Sequence, residues 1–145
     1  MASLVDLLNS DKKEAAVDDC CALIDQEVAD KGGLTGLAIK AGFGAVKGVK
    51  PGFIRNVVSD LLPEFARTLD PIYQEAKSQG KPVAAHFVAN GGRAADALLS
   101  ITDAKAQHAK SGVVKGTYEK LRPSAKKHVE VALPRLAKLI EKYDA

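Results

Sequence analysis

The chain has 145 residues, with 21 Lys+Arg against 18 Asp+Glu, two cysteines and no tryptophan. At this length a folded chain buries roughly 68–70% of the surface that its unfolded form exposes, so one core can form without disulfides or a structural metal. A charged fraction of 27% beside 46% apolar residues excludes extensive disorder. No uninterrupted apolar run approaches the roughly 20 residues of a membrane-spanning helix.

Met1-Ala2-Ser3-Leu4-Val5-Asp6 lacks a basic stretch followed by a long apolar one, so no secretory signal is expected. Ser3 is placed to cap a short first helix carrying Leu4, Val5, Leu7 and Leu8. Asp11 followed by Glu14 resembles the carboxylate version of a capping box ahead of a helical stripe at Val17, Cys20, Cys21, Ile24 and Val28. Gly32-Gly33 then supplies the residues that often end a helix. Cys20 and Cys21 are adjacent, a spacing that suits neither an ordinary disulfide nor a complete zinc ligand set, and the expected compartment is the reducing cytoplasm.

In the segment 34–49, Leu34, Leu37, Ile39, Phe43, Val46 and Val49 spread around most of the helical circumference, broken only by Lys40 and Lys47. Each of Gly36, Gly42, Gly44 and Gly48 costs on the order of 1 kcal/mol relative to Ala in an isolated helix. Close packing is the expected compensation, with Gly36, Gly44 and Gly48 admitting neighbouring helices, which makes this the central helix of the fold. Pro51-Gly52 separates it from the longest periodic run, Ile54, Val57, Val58, Leu61, Leu62, Phe65, Leu69, Ile72, Tyr73 and Ala76. Pro63 and Pro71 predict kinks or consecutive helices there, with Asp70-Pro71 as the stronger restart signal.

After Gly80 a helix is expected from Pro82, carrying Val83, Phe87 and Val88 up to Asn90-Gly91-Gly92. Another is expected from Arg93 towards Lys110, with Ala94, Ala95, Leu98, Leu99 and Ile101 inward. A shorter segment over 113–121 ends at Arg122-Pro123-Ser124, where Ser124 caps a last helix with Val129, Ala132, Leu133, Leu136, either Leu139 or Ile140, and Tyr143 on its stripe and with Pro134 placed to bend it. No window alternates with strand periodicity. The expected fold is therefore all-α, a single-domain helical bundle over 1–145 with about six to eight helices around the glycine-rich one.

Charge is uneven along the chain: residues 1–104 hold 11 Lys+Arg and 14 Asp+Glu, whereas residues 105–145 hold 10 and 4. Lys115, Lys120, Arg122, Lys126, Lys127 and Arg135, with Arg93 beside the Asn90-Gly91-Gly92 turn, form a candidate face for an anion, an acidic protein or a phosphate-bearing partner. The competing reading is a solvated surface, or one that neutralises the acidic second helix. A weak, nonspecific nucleic-acid binder working through phosphate contacts is a further alternative, although only Tyr118 interleaves those lysines, which disfavours base stacking and makes nucleic acid the less expected partner.

Catalytic signatures are missing. The glycines of 42–48 lack the full dinucleotide spacing and a preceding strand. His86, His108 and His128 belong to no His-Glu-x-x-His or Glu-x-x-His pattern, and the cysteines have no neighbouring histidine to favour thiolate. No catalytic residue, metal or cofactor is assigned, and the expected class is non-enzymatic. Over 34–53, Lys40, Lys47 and Lys50 border an apolar surface without an acidic residue, a composition shared by interfacial helices, but the glycines favour internal packing and so disfavour a membrane surface. An apolar-ligand carrier, with a cavity between this helix and the run at 53–76, is the alternative to a binding or assembly protein.

Val28-Ala29-Asp30-Lys31, Gly33-Leu34-Thr35-Gly36, Ala38-Ile39-Lys40-Ala41-Gly42, Ala45-Val46-Lys47, Val49-Lys50-Pro51-Gly52-Phe53 and Leu61-Leu62-Pro63, with Leu98-Leu99 and Thr102-Asp103-Ala104, resemble a family of small bacterial all-helical proteins of unknown function. The resemblance implies a single helical domain. It supplies no activity and no catalytic residue to transfer.

Overall fold

A reciprocal pair of hydrogen bonds starts the first helix, α1 (Leu4–Leu8): the Asp6 amide donates to Ser3 Oγ at 3.1 Å, and the Ser3 amide donates to the Asp6 carboxylate at 3.2 Å. The computed structural model describes residues 3–8 and 11–144, and the side chains of Leu34 and Thr35 lie outside that description. Expectations placed on Met1, Ala2 and the Leu34 side chain fall there too. Among the described residues six further helices follow: α2 (Lys13–Asp30), α3 (Gly33–Lys47), α4 (Phe53–Ser78), α5 (Val83–Ala89), α6 (Gly91–Gln107) and α7 (Gly112–Asp144). The fold is all-α and one domain, as the periodicity predicts.

Helix α4 is the spine. Val58, Leu62, Ala66, Leu69, Ile72, Tyr73 and Ala76 form its buried stripe and pack with Leu4, Leu8, Ala16, Val17, Val83, Phe87, Ala94, Leu133, Ala137, Ile140 and Tyr143. Burying each large side chain in this cluster contributes roughly 1.5–3 kcal/mol. The continuity of α4 overrides its prolines: Pro63 and Pro71 lie inside one helix instead of dividing it. Apolar contacts on both sides of each proline offset the missing backbone donor. Asp70 does cap a helix, though not its own, because its carboxylate accepts the Leu4 amide at 2.8 Å.

The same correction applies to α7. The expected break at Arg122-Pro123-Ser124 is absent, and Ser124 Oγ donates back to the Leu121 carbonyl at 3.2 Å instead of capping a new helix. Helix α2 opens after Lys12, one position beyond the expected Asp11 cap, without a side-chain capping bond from Lys12.

The glycine-rich helix is peripheral. No described side chain of α3 enters the apolar cluster, and Leu37 is 65% exposed. Gly36 is closely packed, since a Cβ there would lie 2.6 Å from the Lys31 carbonyl carbon, but the neighbour is the chain's own preceding turn. A Cβ on Gly44 would meet open space, and one on Gly48 only carbonyl oxygens of Gly44 and Ala45 at 3.5 Å. Gly42 is the glycine that admits another helix: its Cβ would meet Thr117 Cγ2 at 2.9 Å and Leu121 Cδ1 at 3.2 Å, both on α7. Glycine and alanine carry too little apolar area to compete for the centre against the Leu, Ile, Val and Tyr stripe of α4.

Candidate functional site

Four of the seven expected basic residues are engaged internally. Arg93 makes a two-pronged contact with Glu75 at 2.9 and 2.7 Å. His86, buried on α5, brings Nε2 within 3.1 Å of the same carboxylate, so α4, α5 and α6 are joined at one acid. Arg93 chiefly, with His86, holds the Glu75 carboxyl down to about 2. Arg122 donates to both oxygens of Asp103 at 2.8 and 3.2 Å, beside a Tyr118 hydroxyl that bonds the same carboxylate. Arg135 clamps Glu27 at 2.5 Å and also Asp30, both on α2. Lys126 reaches Asp96 at 3.0 Å. Lys142, further along α7, reaches Asp19 at 2.9 Å, so part of the carboxyl-terminal charge does neutralise α2.

Lys115, Lys120 and Lys127 have no acidic partner among the described residues and are exposed. Five residues of helix separate Lys115 from Lys120 by about 140°, whereas seven bring Lys120 and Lys127 within about 20°. Only the latter two share a face. Val113 and Val131, 50% and 55% exposed, project on the same side of α7. This stripe lies about 60–100° around the helix from the side that Thr117 and Leu121 present to Gly42.

Across that contact, α3 turns Leu37, Ala41, Gly44, Ala45 and Gly48 to solvent. Lys40 is unpaired among the described residues, while Lys47 stands 3.9 Å from the exposed Asp25 and 5.0 Å from the Phe43 ring centroid. Exposed cations and apolar side chains therefore interleave over two adjoining helices. The lysines and missing acids over 34–53 already marked the α3 contribution in the sequence, but the glycines, which read as interior residues, argued against an exposed surface there.

Other arrangements carry less chemistry. His108 ends α6 at the surface, and among the described residues no group of three or more His, Cys, Asp or Glu side chains could hold a metal ion. Burial pushes the Cys20 thiol up to about 11 and raises that of Cys21, which keeps both protonated. Burial, then Lys31 and Lys127, lowers the His128 pKa, and His128 Nε2 is buried without a hydrogen-bond partner among the described residues. Two open depressions are present, one of about 510 Å³ beside Lys81, Val83 and Glu141, and one of about 450 Å³ formed by Lys31, Gly32, Gly33, Leu37 and Lys40. Neither lies between α3 and α4, the expected place for an apolar-ligand cavity.

A family model for DUF6918, a family of unknown function, matches residues 4–144, from the first turn of α1 to the last of α7. The chain belongs to that family. Its membership spans the core and the basic layer alike, so both are parts of one DUF6918 unit. No curated protein and no solved structure matches the chain. Among the described residues no helix is long and apolar enough to cross a membrane.

Proposed function

We propose that this DUF6918 protein is a non-enzymatic cytoplasmic binding protein whose basic surface, on α3 and the amino-terminal half of α7, receives an anionic partner. The observation that carries this reading is the pairing pattern. Arg93, Arg122, Lys126 and Arg135 are balanced by acids of the same chain, while Lys120 and Lys127 are left together on one exposed stripe. Unbalanced charge gathered on one side raises the local concentration of an oppositely charged partner and speeds its approach. The free, protonated Cys20 and Cys21 thiols accord with a reducing compartment.

Binding of labelled inorganic polyphosphate, followed by fluorescence anisotropy at low and high salt, tests the reading. The K120Q/K127Q variant is expected to weaken binding far more than K12Q/K81Q, which removes the same charge from exposed positions outside α3 and α7. Equal weakening would reduce the effect to net charge, and an absence of binding by the native protein at low salt would contradict the proposal.

A further inference from the structure

The partner's chemistry can be narrowed from the outer surface of α3, and this step rests on the basic surface being a binding surface. Between Asp30 and Asp60 the chain carries Lys31, Lys40, Lys47, Lys50 and Arg55 and not one acidic residue. The solvent-facing stripe of α3 and its C-cap consists of Leu37, Ala41, Gly44, Ala45 and Gly48, and Lys40 and Lys47 project about 80–100° from its centre along one edge. With a single large apolar side chain, Leu37, among small residues, this face suits shallow contact with a bilayer interface, with the ammonium groups at the level of the phosphates. Lysine suits the position because its four-carbon stem can lie along the apolar boundary while the charge stays in water.

Helix α7 extends the pattern. Val113 and Val131 are half exposed on the stripe that carries Lys120 and Lys127, whereas Glu119 projects about 180° away from the α3 contact. Glu130, three residues after Lys127, projects about 60–100° from that stripe, and Asp25 stands in a loose, exposed pair 3.9 Å from Lys47 that an anionic surface can replace. A folded acidic protein would satisfy the lysines but leave Leu37, Val113 and Val131 to find matching apolar pockets. An anionic lipid surface satisfies both groups at once.

We infer that α3 and the adjoining stripe of α7 dock on membranes rich in anionic lipid, with Leu37 entering the headgroup boundary and Lys40, Lys47, Lys120 and Lys127 contacting lipid phosphates and carboxylates. The glycines that cost α3 intrinsic helix stability then have a use: with no side chain at Gly44 and Gly48, the helix backbone can approach the headgroups closely.

Flotation of the full-length protein with phosphatidylcholine vesicles, with and without phosphatidylserine, tests the inference. The native chain is expected to float with the phosphatidylserine vesicles and to stay behind with phosphatidylcholine alone. Leu37→Glu abolishes flotation while far-UV circular dichroism is unchanged, since Leu37 is 65% exposed. K40Q/K47Q lowers the partition coefficient at least tenfold, at about fivefold per lysine. Val88→Glu, at a half-exposed apolar position on α5, leaves flotation intact. Equal flotation with both vesicle types, or equal losses in L37E and V88E, would overturn the assignment to α3 and anionic lipid. Failure to float, with polyphosphate binding that still depends on Lys120 and Lys127, would overturn membrane docking and leave the binding surface standing. Failure of both would overturn the two readings together.

Discussion

From Val129 onward α7 packs against the core: Leu133, Ala137, Ile140 and Tyr143 are buried against α4 and its partners, and Arg135 and Lys142 are tied to α2. Over 112–128 the same helix has no buried residue, touches α3 through Thr117 and Leu121, and leaves Lys115, Lys120 and Lys127 free among the described residues. A continuous backbone therefore joins two kinds of surface. Large apolar side chains at helical spacing produce the first, and small residues with unbalanced lysines produce the second.

The comparison predicts unequal losses on truncation. Leu133→Ala should cost about 2–5 kcal/mol, because the cavity opens among fully buried neighbours, whereas Leu121→Ala, half-buried between α7 and α3, should cost about 1 kcal/mol. Urea unfolding of the two variants measures the difference, and similar losses would erase the distinction between the halves.

Glycine substitutions sharpen it. Gly36→Ala should destabilise by about 1–3 kcal/mol, since its Cβ meets backbone atoms of Lys31 that cannot rotate away. Gly44→Ala should stabilise by up to about 1 kcal/mol through helix propensity alone, in open space. Gly42→Ala should fall between, as its Cβ presses on Thr117, whose branched side chain has little rotamer freedom, and on the more adaptable Leu121. Thermal melts of the three variants give the order directly.

Acid should separate the regions more gently. The Glu75 carboxyl is held near 2 when folded, against an ordinary value of 4.5, so between these limits the unfolded chain binds more protons. The stabilisation from Glu75 is then complete above about pH 4.5 and is lost as pH falls towards 2. Glu75→Gln should flatten the pH dependence of the global urea midpoint over that window. Asp103→Asn also removes an acid whose pKa is lowered, chiefly by Arg122 and then Tyr118, but should loosen mainly the amino-terminal half of α7. A flat native profile between pH 5 and 2 would contradict the assignment to Glu75.

Much of the core was legible in the sequence. The three- and four-residue steps of α4 and the Leu133 stripe of α7 name most of its buried residues, since large apolar side chains at that spacing leave one face to bury. The Asp70-Pro71 restart and the break at Pro123 misled because local cost does not reveal the tertiary contacts that offset it. Gly44 and Gly48 misled for a related reason: missing side chains permit close approach but do not drive it. For the candidate surface, composition locates the lysines but not their partners. Arg135 pairs with Glu27 across 108 positions of sequence and Arg93 with Glu75 across 18, so the surviving free set appeared only with the fold.

Native-state hydrogen exchange, resolved by residue, tests the division of the molecule most directly. Amides of α4 and of 129–144 should exchange only through global unfolding, while those of α3 and 112–128 should exchange through local openings of markedly lower free energy. Protection of α3 equal to that of α4 would contradict the account and return the glycine-rich helix to the centre of the fold.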